Sequence, residues 1–314
     1  NLSPSFFDKH LNINFNVKGL YIYNSYPAGV VGSALSMDPT LPIKGGATNI
    51  YGEEYFSKAD MDKFFGGYNQ PTTGANYNDP GWPLTFDPNT TNNPVAALNQ
   101  QSSIANSGSF VGNLEVDYQI HGFEDLRLHA NFGADYSYGH QRYQNDPYGV
   151  AGHYYGWDGY DVKNKYNLQF NAYAQYYKDF SENQHFDIMA GFEWQHFYND
   201  YFNEGSGIMP MTNNNVDLRG KPYNYAESSF KTESRLMSFF GRANYIGWNQ
   251  IMLTATVRAD GSSRFAPNHR WGIFPSVALG WKIKETFLQD ANWINDLKLR
   301  LGYGITGQQE INQG

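Results

Sequence analysis

Residues 166–177, with the sequence YNLQFNAYAQYY, alternate apolar and polar side chains with a period of two. Leu168 and Phe170 fall on one side of this pattern, and Asn167 and Gln169 fall on the other. Successive side chains of a β-strand point to opposite faces, so the stretch predicts a strand with one apolar face.

The same alternation recurs along the chain and makes β-structure the dominant prediction. Strands are predicted over residues 10–19, 110–120, 126–138, 166–177, 186–194, 235–246, 251–259, 271–283 and 297–305. The fold class is therefore predicted to be all-β, with about nine strands in this chain.

The connections between these strands are short and long in turn. Long connections are predicted over residues 20–107, 140–164, 200–232 and 260–270, whereas tight turns such as HGFED and GWNQ alternate with them. KETFLQDANWIND, residues 284–296, belongs to the short side by its place in this alternation, although it is longer than the other turns. Short turns at one end and long loops at the other are typical of a transmembrane antiparallel β-barrel with long extracellular loops. A soluble β-sandwich also alternates, but the aromatic content of 17% and the long connections favour the barrel.

Composition excludes several classes of function. The chain has 314 residues, a net charge of -8 and no cysteine, which argues against nucleic acid as a partner and against thiolate chemistry. The first residues, NLSPSFFDKH, do not resemble a signal peptide. Because a membrane barrel must close, an odd set of strands predicts a partial barrel, a segment of a larger one.

A family resemblance enters with residues 258–309. RADGSSRF at 258–265, RWGIFPS at 270–276, Gly280-Trp281 and LKLRLGYGITGQQ at 297–309 closely resemble motifs of the SusC/RagA family of TonB-dependent outer-membrane transporters. NPVAALNQ, residues 93–100, is similar to a further family segment. The resemblance implies a 22-stranded barrel with an N-terminal plug domain, in the outer membrane of a Gram-negative bacterium.

The resemblance also implies the domain organisation and the function. Residues 1–314 are expected to be a segment of the barrel domain, with the plug domain and the remaining strands outside this chain. The expected function is TonB-dependent active uptake of an oligosaccharide or a peptide with a SusD-like surface lipoprotein. Expected contacts are TonB, through parts outside this chain, and the lipid bilayer. A homodimer of the transporter–lipoprotein pair is left open.

Two other classes of function stay open at this point. A passive porin-like barrel or a secreted β-sandwich adhesin would show the same alternation. A membrane-barrel enzyme is the third hypothesis, but DGSSRF lacks the G-x-S-x-G spacing of a nucleophile elbow, so we expect no catalytic residues and no bound cofactor. Asp260-Gly261 is instead predicted to be turn chemistry, with Arg258 or Arg264 paired to Asp260.

The strongest candidate for ligand contact is the aromatic stretch HYYGWDGYD, residues 153–161. Aromatic faces beside carboxylates suit sugar rings, so the predicted ligand-binding residues are Tyr154, Tyr155, Trp157, Asp158 and Tyr160. The alternative is an aromatic girdle or a contact with a lipoprotein lid.

Two weaker features complete the expectations. Asp79 and Asp87 lie in an oxygen-rich loop that could hold calcium, although the histidines show no spacing typical of a helical metal site, and no metal is expected. Residues 52–67, GEEYFSKADMDKFFGG, form the one plausibly helical stretch.

Overall fold

The computed structural model describes residues 1–45, 65–75, 84–86, 89–149, 156–209, 220–221, 223–291 and 293–308. One antiparallel sheet of ten strands dominates it, in the order β1-β2-β5-β6-β7-β8-β9-β10-β11-β12. Its strands are β1 Ser5–Phe6, β2 Leu11–Ser25, β5 Gln101–Gln119, β6 Leu126–Asn145, β7 Trp157–Ser181, β8 Gln184–Ser206, β9 Tyr225–Gly247, β10 Ile251–Ser262, β11 Trp271–Lys282 and β12 Lys298–Gly304. The nine predicted strands are confirmed, and β1 adds a two-residue edge.

The long connection after β2 carries its own small elements. Strands β3, Thr72–Ala75, and β4, Leu84–Phe86, form a separate two-stranded sheet. Because β2 pairs directly with β5, the chain between them returns to the neighbouring position in the main sheet.

The helices are short: α1 Val30–Ser36, α2 Pro94–Gln100 and α3 Ile283–Phe287, with 3-10 turns at Phe65–Gly67 and Pro267–His269. No helix in the described ranges is long and apolar enough to cross a membrane. Of the predicted helical stretch, residues 52–64 lie outside the described residues, and Phe65–Gly67 forms a 3-10 turn.

Helix α2 was missed as a helix, although its sequence signal is strong. Asn93 caps the helix, since its side-chain oxygen accepts from the backbone N–H groups of Val95 at 3.0 Å and Ala96 at 3.2 Å. Pro94 occupies the first helical turn, where its missing N–H costs nothing.

The strands continue well beyond the stretches that alternate. β7 begins at Trp157, whereas the pattern predicted its start at residue 166, and β10 runs to Ser262. The predicted turn at Asp260-Gly261 is therefore wrong, because both residues pair within the sheet. The predicted long connections are correspondingly shorter. At the opposite end, the tight turns β5–β6, β7–β8 and β9–β10 are confirmed, whereas the β11–β12 connection carries helix α3.

The two faces of the sheet differ in chemistry. We call the face that carries Leu168 and Phe170 the outer face, and the face that carries Asn167 and Gln169 the inner face. Apolar side chains of the outer face are exposed, for example Val257 at 51% and Leu301 at 57%. A β-sandwich would bury such a face against a second sheet, whereas a membrane barrel presents it to lipid.

A conventional hydrophobic core is nearly absent from the described part of the chain. The buried apolar residues there are Phe65, Ala96, Ala97 and Leu236. Three of them belong to the excursion between β2 and β5, where Gln100 donates its amide to the Phe65 carbonyl at 2.9 Å. The sheet itself is thus held by its backbone hydrogen-bond ladder and by contacts within each face.

Candidate ligand-binding surface

The predicted ligand residues lie at the long-loop end of β7. Tyr154 and Tyr155 lie outside the described residues. The sequence predicted a loop for Trp157, Asp158 and Tyr160, but all three belong to strand β7. Pairing with β6 over residues 157–176 and with β8 over residues 158–179 shows no register shift, so alternate residues keep alternate faces.

That register separates the three described candidates. Trp157 is an even number of residues away from Asn167 and Gln169 along β7, so it lies with them on the inner face. Asp158 and Tyr160 are an even number of residues away from Leu168 and Phe170, so they lie with them on the outer face. They are nearer the long connections than these apolar residues. The sequence placed these side chains in one site, and the structure does not bring them together.

Trp157 lies over glycine on the inner face. A Cβ at Gly205 would collide with the Trp157 indole, and a Cβ at Gly159 would lie 2.7 Å from its Nε1. The same added Cβ at Gly159 would lie 2.6 Å from the Tyr143 ring. The paired residues Gly159 and Gly205 thus provide the space into which the two rings fit.

Asn203 completes this surface from β8. Its side-chain amide donates to the Tyr143 hydroxyl, and to the Tyr160 carbonyl at 3.4 Å. We call Tyr143, Trp157 and Asn203, together with Gly159 and Gly205, the inner aromatic platform. It offers two aromatic rings and an amide on the same face of three neighbouring strands, a combination that can stack on a ring and hydrogen-bond its substituents.

Asp158 is occupied on the outer face by an arginine. Arg142 Nε lies 3.1 Å from Asp158 Oδ1, and the Arg142 terminal nitrogen lies 2.8 Å from Oδ2. This two-point ion pair, formed beyond the apolar part of the strands, holds the pKa of Asp158 below its usual value. The role that the structure gives Asp158 is therefore to pair with Arg142, and not to contact a ligand.

Tyr160 belongs to a second outer-face group. Its hydroxyl donates to Glu204 at 3.1 Å, and Tyr225 lies 3.0 Å from the same carboxylate and 2.8 Å from Glu227. The hydrogen bond to Glu227 is the largest of several contributions that raise the pKa of Tyr225. These tyrosines therefore remain protonated donors at neutral pH.

Two groups of side chains have the donor types of a metal site. Within the described residues they are His10 with His121 and Glu124, and Glu115 with Asp117 and His129. His129 Nδ1 lies 3.1 Å from Asp117 and 3.9 Å from Glu115, and its ring stacks on Tyr173. Strand pairing assembles the second group, so no local spacing in the sequence announces it. The calcium candidates Asp79 and Asp87 lie outside the described residues.

Comparison with known proteins decides the family. No family model matches the chain. Among characterised proteins, the chain is similar to the TonB-dependent receptor SusC of Bacteroides thetaiotaomicron, with 45% identity over 317 residues that cover 99% of this chain. The chain belongs to the SusC/RagA family of TonB-dependent receptors. It spans 30% of the length of SusC.

Other relatives agree with this assignment. TonB-dependent receptor P39 of Formosa agariphila is 36% identical over 156 residues, 48% of this chain and 15% of that protein. The structure of the RagAB peptide importer in its closed-closed state superposes with a TM-score of 0.67 at 20% identity, over 98% of this chain and 32% of that chain. At that identity the likeness shows the fold.

The SusC/RagA motif DGSSRF has a structural role in this sheet. Arg258 Nε lies 2.6 Å from Asp260, so of the two arginines predicted as partners of Asp260 the structure selects Arg258. The terminal nitrogen of Arg258 also reaches Glu193 of β8 at 2.7 Å and the buried Ser238 hydroxyl of β9 at 2.9 Å. Sequence reasoning missed these two partners because they come from other strands.

The serines of the motif also have backbone partners. Ser263 Oγ accepts from the Arg235 N–H at 2.8 Å, and Ser262 Oγ accepts from the Arg264 N–H at 3.4 Å. Among the described residues, neither serine is hydrogen-bonded to a histidine. The motif thus ties the β10–β11 connection to β9.

Proposed function

We propose that this chain forms part of the wall of an outer-membrane barrel in a Gram-negative bacterium, in a receptor that imports a nutrient with energy supplied through TonB. The observation that carries this proposal is the 45% identity to the TonB-dependent receptor SusC across 99% of the chain. The exposed apolar outer face supports it independently, because lipid is the solvent that such a face requires.

The edges of the sheet support the proposed domain organisation. In the described part of the chain, β1 and β12 each have a neighbour on one side only. Open edges are not tolerated in the hydrocarbon region, so further strands must close the barrel. We therefore assign residues 1–314 to a segment of the barrel domain and place the plug domain and remaining strands elsewhere in the longer protein.

An oligosaccharide is the substrate class that the inner aromatic platform favours. Trp157 and Tyr143 present flat rings on the inner face, and Asn203 places an amide beside them. Sugar rings combine C–H faces with hydroxyl groups and so match both features. A peptide is the second candidate, since the RagAB structure with the same fold is that of a peptide importer.

A SusD-like lipoprotein is the proposed extracellular partner. The four connections β2–β5, β6–β7, β8–β9 and β10–β11 all leave the same end of the sheet, and the inner aromatic platform lies at that end. A lipoprotein that covers this end would enclose the platform together with its ligand. TonB would act through parts of the receptor outside this chain.

The test measures oligosaccharide binding by the intact receptor with its lipoprotein, using isothermal titration calorimetry. Trp157→Ala should weaken binding about tenfold, because a stacked ring contributes roughly 0.5–1.5 kcal/mol beyond the area that it buries. Asp158→Asn is the matched control, since its side chain lies one residue away on the outer face. Equal affinities for Trp157→Ala and the parent would contradict an oligosaccharide site at the platform.

A transport assay separates the receptor from a passive porin. Uptake of the labelled oligosaccharide by intact cells should stop when the proton-motive force is collapsed. Uptake that continues unchanged would favour the porin-like alternative. A set of peptides in the same assay distinguishes the second substrate class.

A further inference from the structure

A row of side chains crosses the outer face where its apolar band ends. This edge lies toward the long connections, the side that we call upper. Trp194 of β8 pairs with Met237 of β9, Met237 with Gly261 of β10, and Gly261 with Trp271 of β11. Below this row the outer face carries apolar residues such as Val257 and Ile273, whereas polar side chains begin directly above it. The row therefore marks a boundary between lipid and water.

A groove opens along this row. It has a volume of about 630 Å³, and its lining includes Trp194, Met237, Gly261 and Trp271. The Trp271 ring stacks on Phe239 with 6.1 Å between ring centres, and a Cβ at position 261 would lie 2.8 Å from the indole. Glycine at 261 thus lets the indole lie along the wall of the groove, where 55% of Trp271 is exposed.

Two arginines line the upper rim of the same groove. Arg235 lies one outer-face position above Met237, and 63% of its side chain is exposed. Its backbone N–H donates to Ser263 Oγ at 2.8 Å, and its carbonyl accepts from the Ser263 N–H at 2.9 Å. Arg270 directly precedes Trp271 and also lines the groove.

The charge of the rim is positive. Glu233 also lines it, and accepts from Arg235 at 2.7 Å and from His196 at 2.9 Å. Arg270 Nε donates to the Phe265 carbonyl at 3.3 Å, and no carboxylate of the described residues forms an ion pair with its guanidinium. One carboxylate therefore faces two guanidinium groups, which leaves a cationic rim above an apolar groove.

We propose that this groove binds a phosphate-bearing membrane lipid of the outer leaflet, with its acyl chain against Met237 and Trp271 and its phosphate between Arg235 and Arg270. One guanidinium group can bind two phosphate oxygens at once, and aromatic side chains favour the interface between lipid and water. A lipid fits better than a protein partner because the arginines stand directly above side chains that the membrane covers. The inference rests on the proposed membrane location of the outer face.

The experiment titrates the intact, detergent-solubilised receptor with monophosphoryl lipid A and counts bound lipid by native mass spectrometry. The double variant Arg235→Ala/Arg270→Ala should lose at least tenfold in affinity, since each basic residue at a membrane surface contributes about fivefold. Arg142→Ala is the matched control, because Arg142 lies on the same face but is paired with Asp158 and higher above the apolar band. Its affinity should equal that of the parent.

Several results would overturn the proposal. Equal affinities of the double variant and the parent would do so, as would competition by inorganic phosphate alone at the lipid's own affinity. Loss of the co-purifying lipoprotein from the double variant, with lipid binding intact, would show a protein-docking surface instead. If the double variant fails to fold, the single variant Arg270→Gln, which changes an exposed side chain, is titrated in its place.

Oligosaccharide uptake distinguishes this inference from the proposed function. Uptake should remain in the double variant, because the groove and the inner aromatic platform lie on opposite faces of the sheet. In the parent receptor, normal uptake without lipid binding would refute the lipid site and leave the receptor function in place. Lipid binding that is retained by a receptor with no uptake would refute the receptor function alone.

Discussion

β7 is one continuous strand whose two halves lie in different environments. The lower half is residues 166–177, and the upper half, nearer the long connections, is residues 157–165. Residues 166–177 alternate strictly, with Leu168 and Phe170 on the outer face and Asn167 and Gln169 on the inner face. Residues 157–165, WDGYDVKNK, show no such separation, yet each is paired with β6 and all but Trp157 also with β8.

This difference separates the cause of the strand from the cause of its pattern. The strand is held by backbone hydrogen bonds, which run to the end of the ladder whatever the side chains are. The alternation reflects lipid on one side and water on the other, and it ends where water covers both sides. A sequence therefore shows the membrane part of such a strand and underestimates its length.

The largest effect is expected from a charge at the centre of the lower half. Ala172 lies on the outer face between Ala130 and Phe192, and Ala172→Arg should destabilise the full receptor in lipid vesicles by about 2–4 kcal/mol. Val162→Arg, on the same face in the upper half, should cost about 0–1 kcal/mol. Urea unfolding measures both, and equal losses would show that the two halves share one environment.

A smaller loss is expected from the inner-face network of the family motif. Arg258→Ala leaves Glu193 and Asp260 without their cation, and should lower the free energy of unfolding by on the order of 1–3 kcal/mol. Arg258→Lys should fall between the variant and the parent, because one ammonium cannot serve both carboxylates as a guanidinium does. An unchanged urea midpoint for Arg258→Ala would show that the network adds nothing to stability.

The upper half of β7 can be tested through glycines of the two neighbouring strands. Gly205→Ala should displace the Trp157 indole and weaken oligosaccharide binding by roughly 0.5–1.5 kcal/mol, the contribution expected of a stacked ring. Gly139→Ala is the control, since a Cβ at this inner-face position meets nothing within 4 Å. Calorimetry on the intact receptor that finds the same affinity for both variants would separate Gly205 from ligand binding.

The smallest effect concerns Asp158, whose pKa the Arg142 pair lowers from the ordinary value of 3.8. The contribution of this pair to stability is present above pH 3.8 and is lost as the pH falls through the lower folded-state pKa. Because both side chains are more than a third exposed, the contribution should stay within about 0–1 kcal/mol. Unfolding of Asp158→Asn and the parent at pH 7 and pH 3 measures it, and a larger difference at pH 3 than at pH 7 would contradict the sign.

The sequence was sufficient where one residue type answers one local requirement. Alternation predicted the nine principal strands, and an arginine of the motif was correctly paired with Asp260, although the sequence left Arg258 and Arg264 as alternatives. The capping pair Asn93-Pro94 was equally local and could have predicted helix α2. The family followed from motifs that are contiguous in the chain.

The site depended on register, which no local pattern contains. Trp157 and Asp158 are adjacent in sequence, but the pairing of β7 with β6, which shows no register shift, assigns them to opposite faces. Tyr143 and Asn203 join Trp157 only because their strands lie on either side of β7.

By itself, then, the sequence determined the all-β class, the two faces of the membrane part and the family of the chain. Only the tertiary structure decided how far each strand extends, which side chains share the inner aromatic platform, and which arginines meet above the apolar band. The physical reason is that side-chain alternation is set by the solvent next to each residue. Cross-strand neighbours are set instead by hydrogen bonds between residues that lie far apart in the chain.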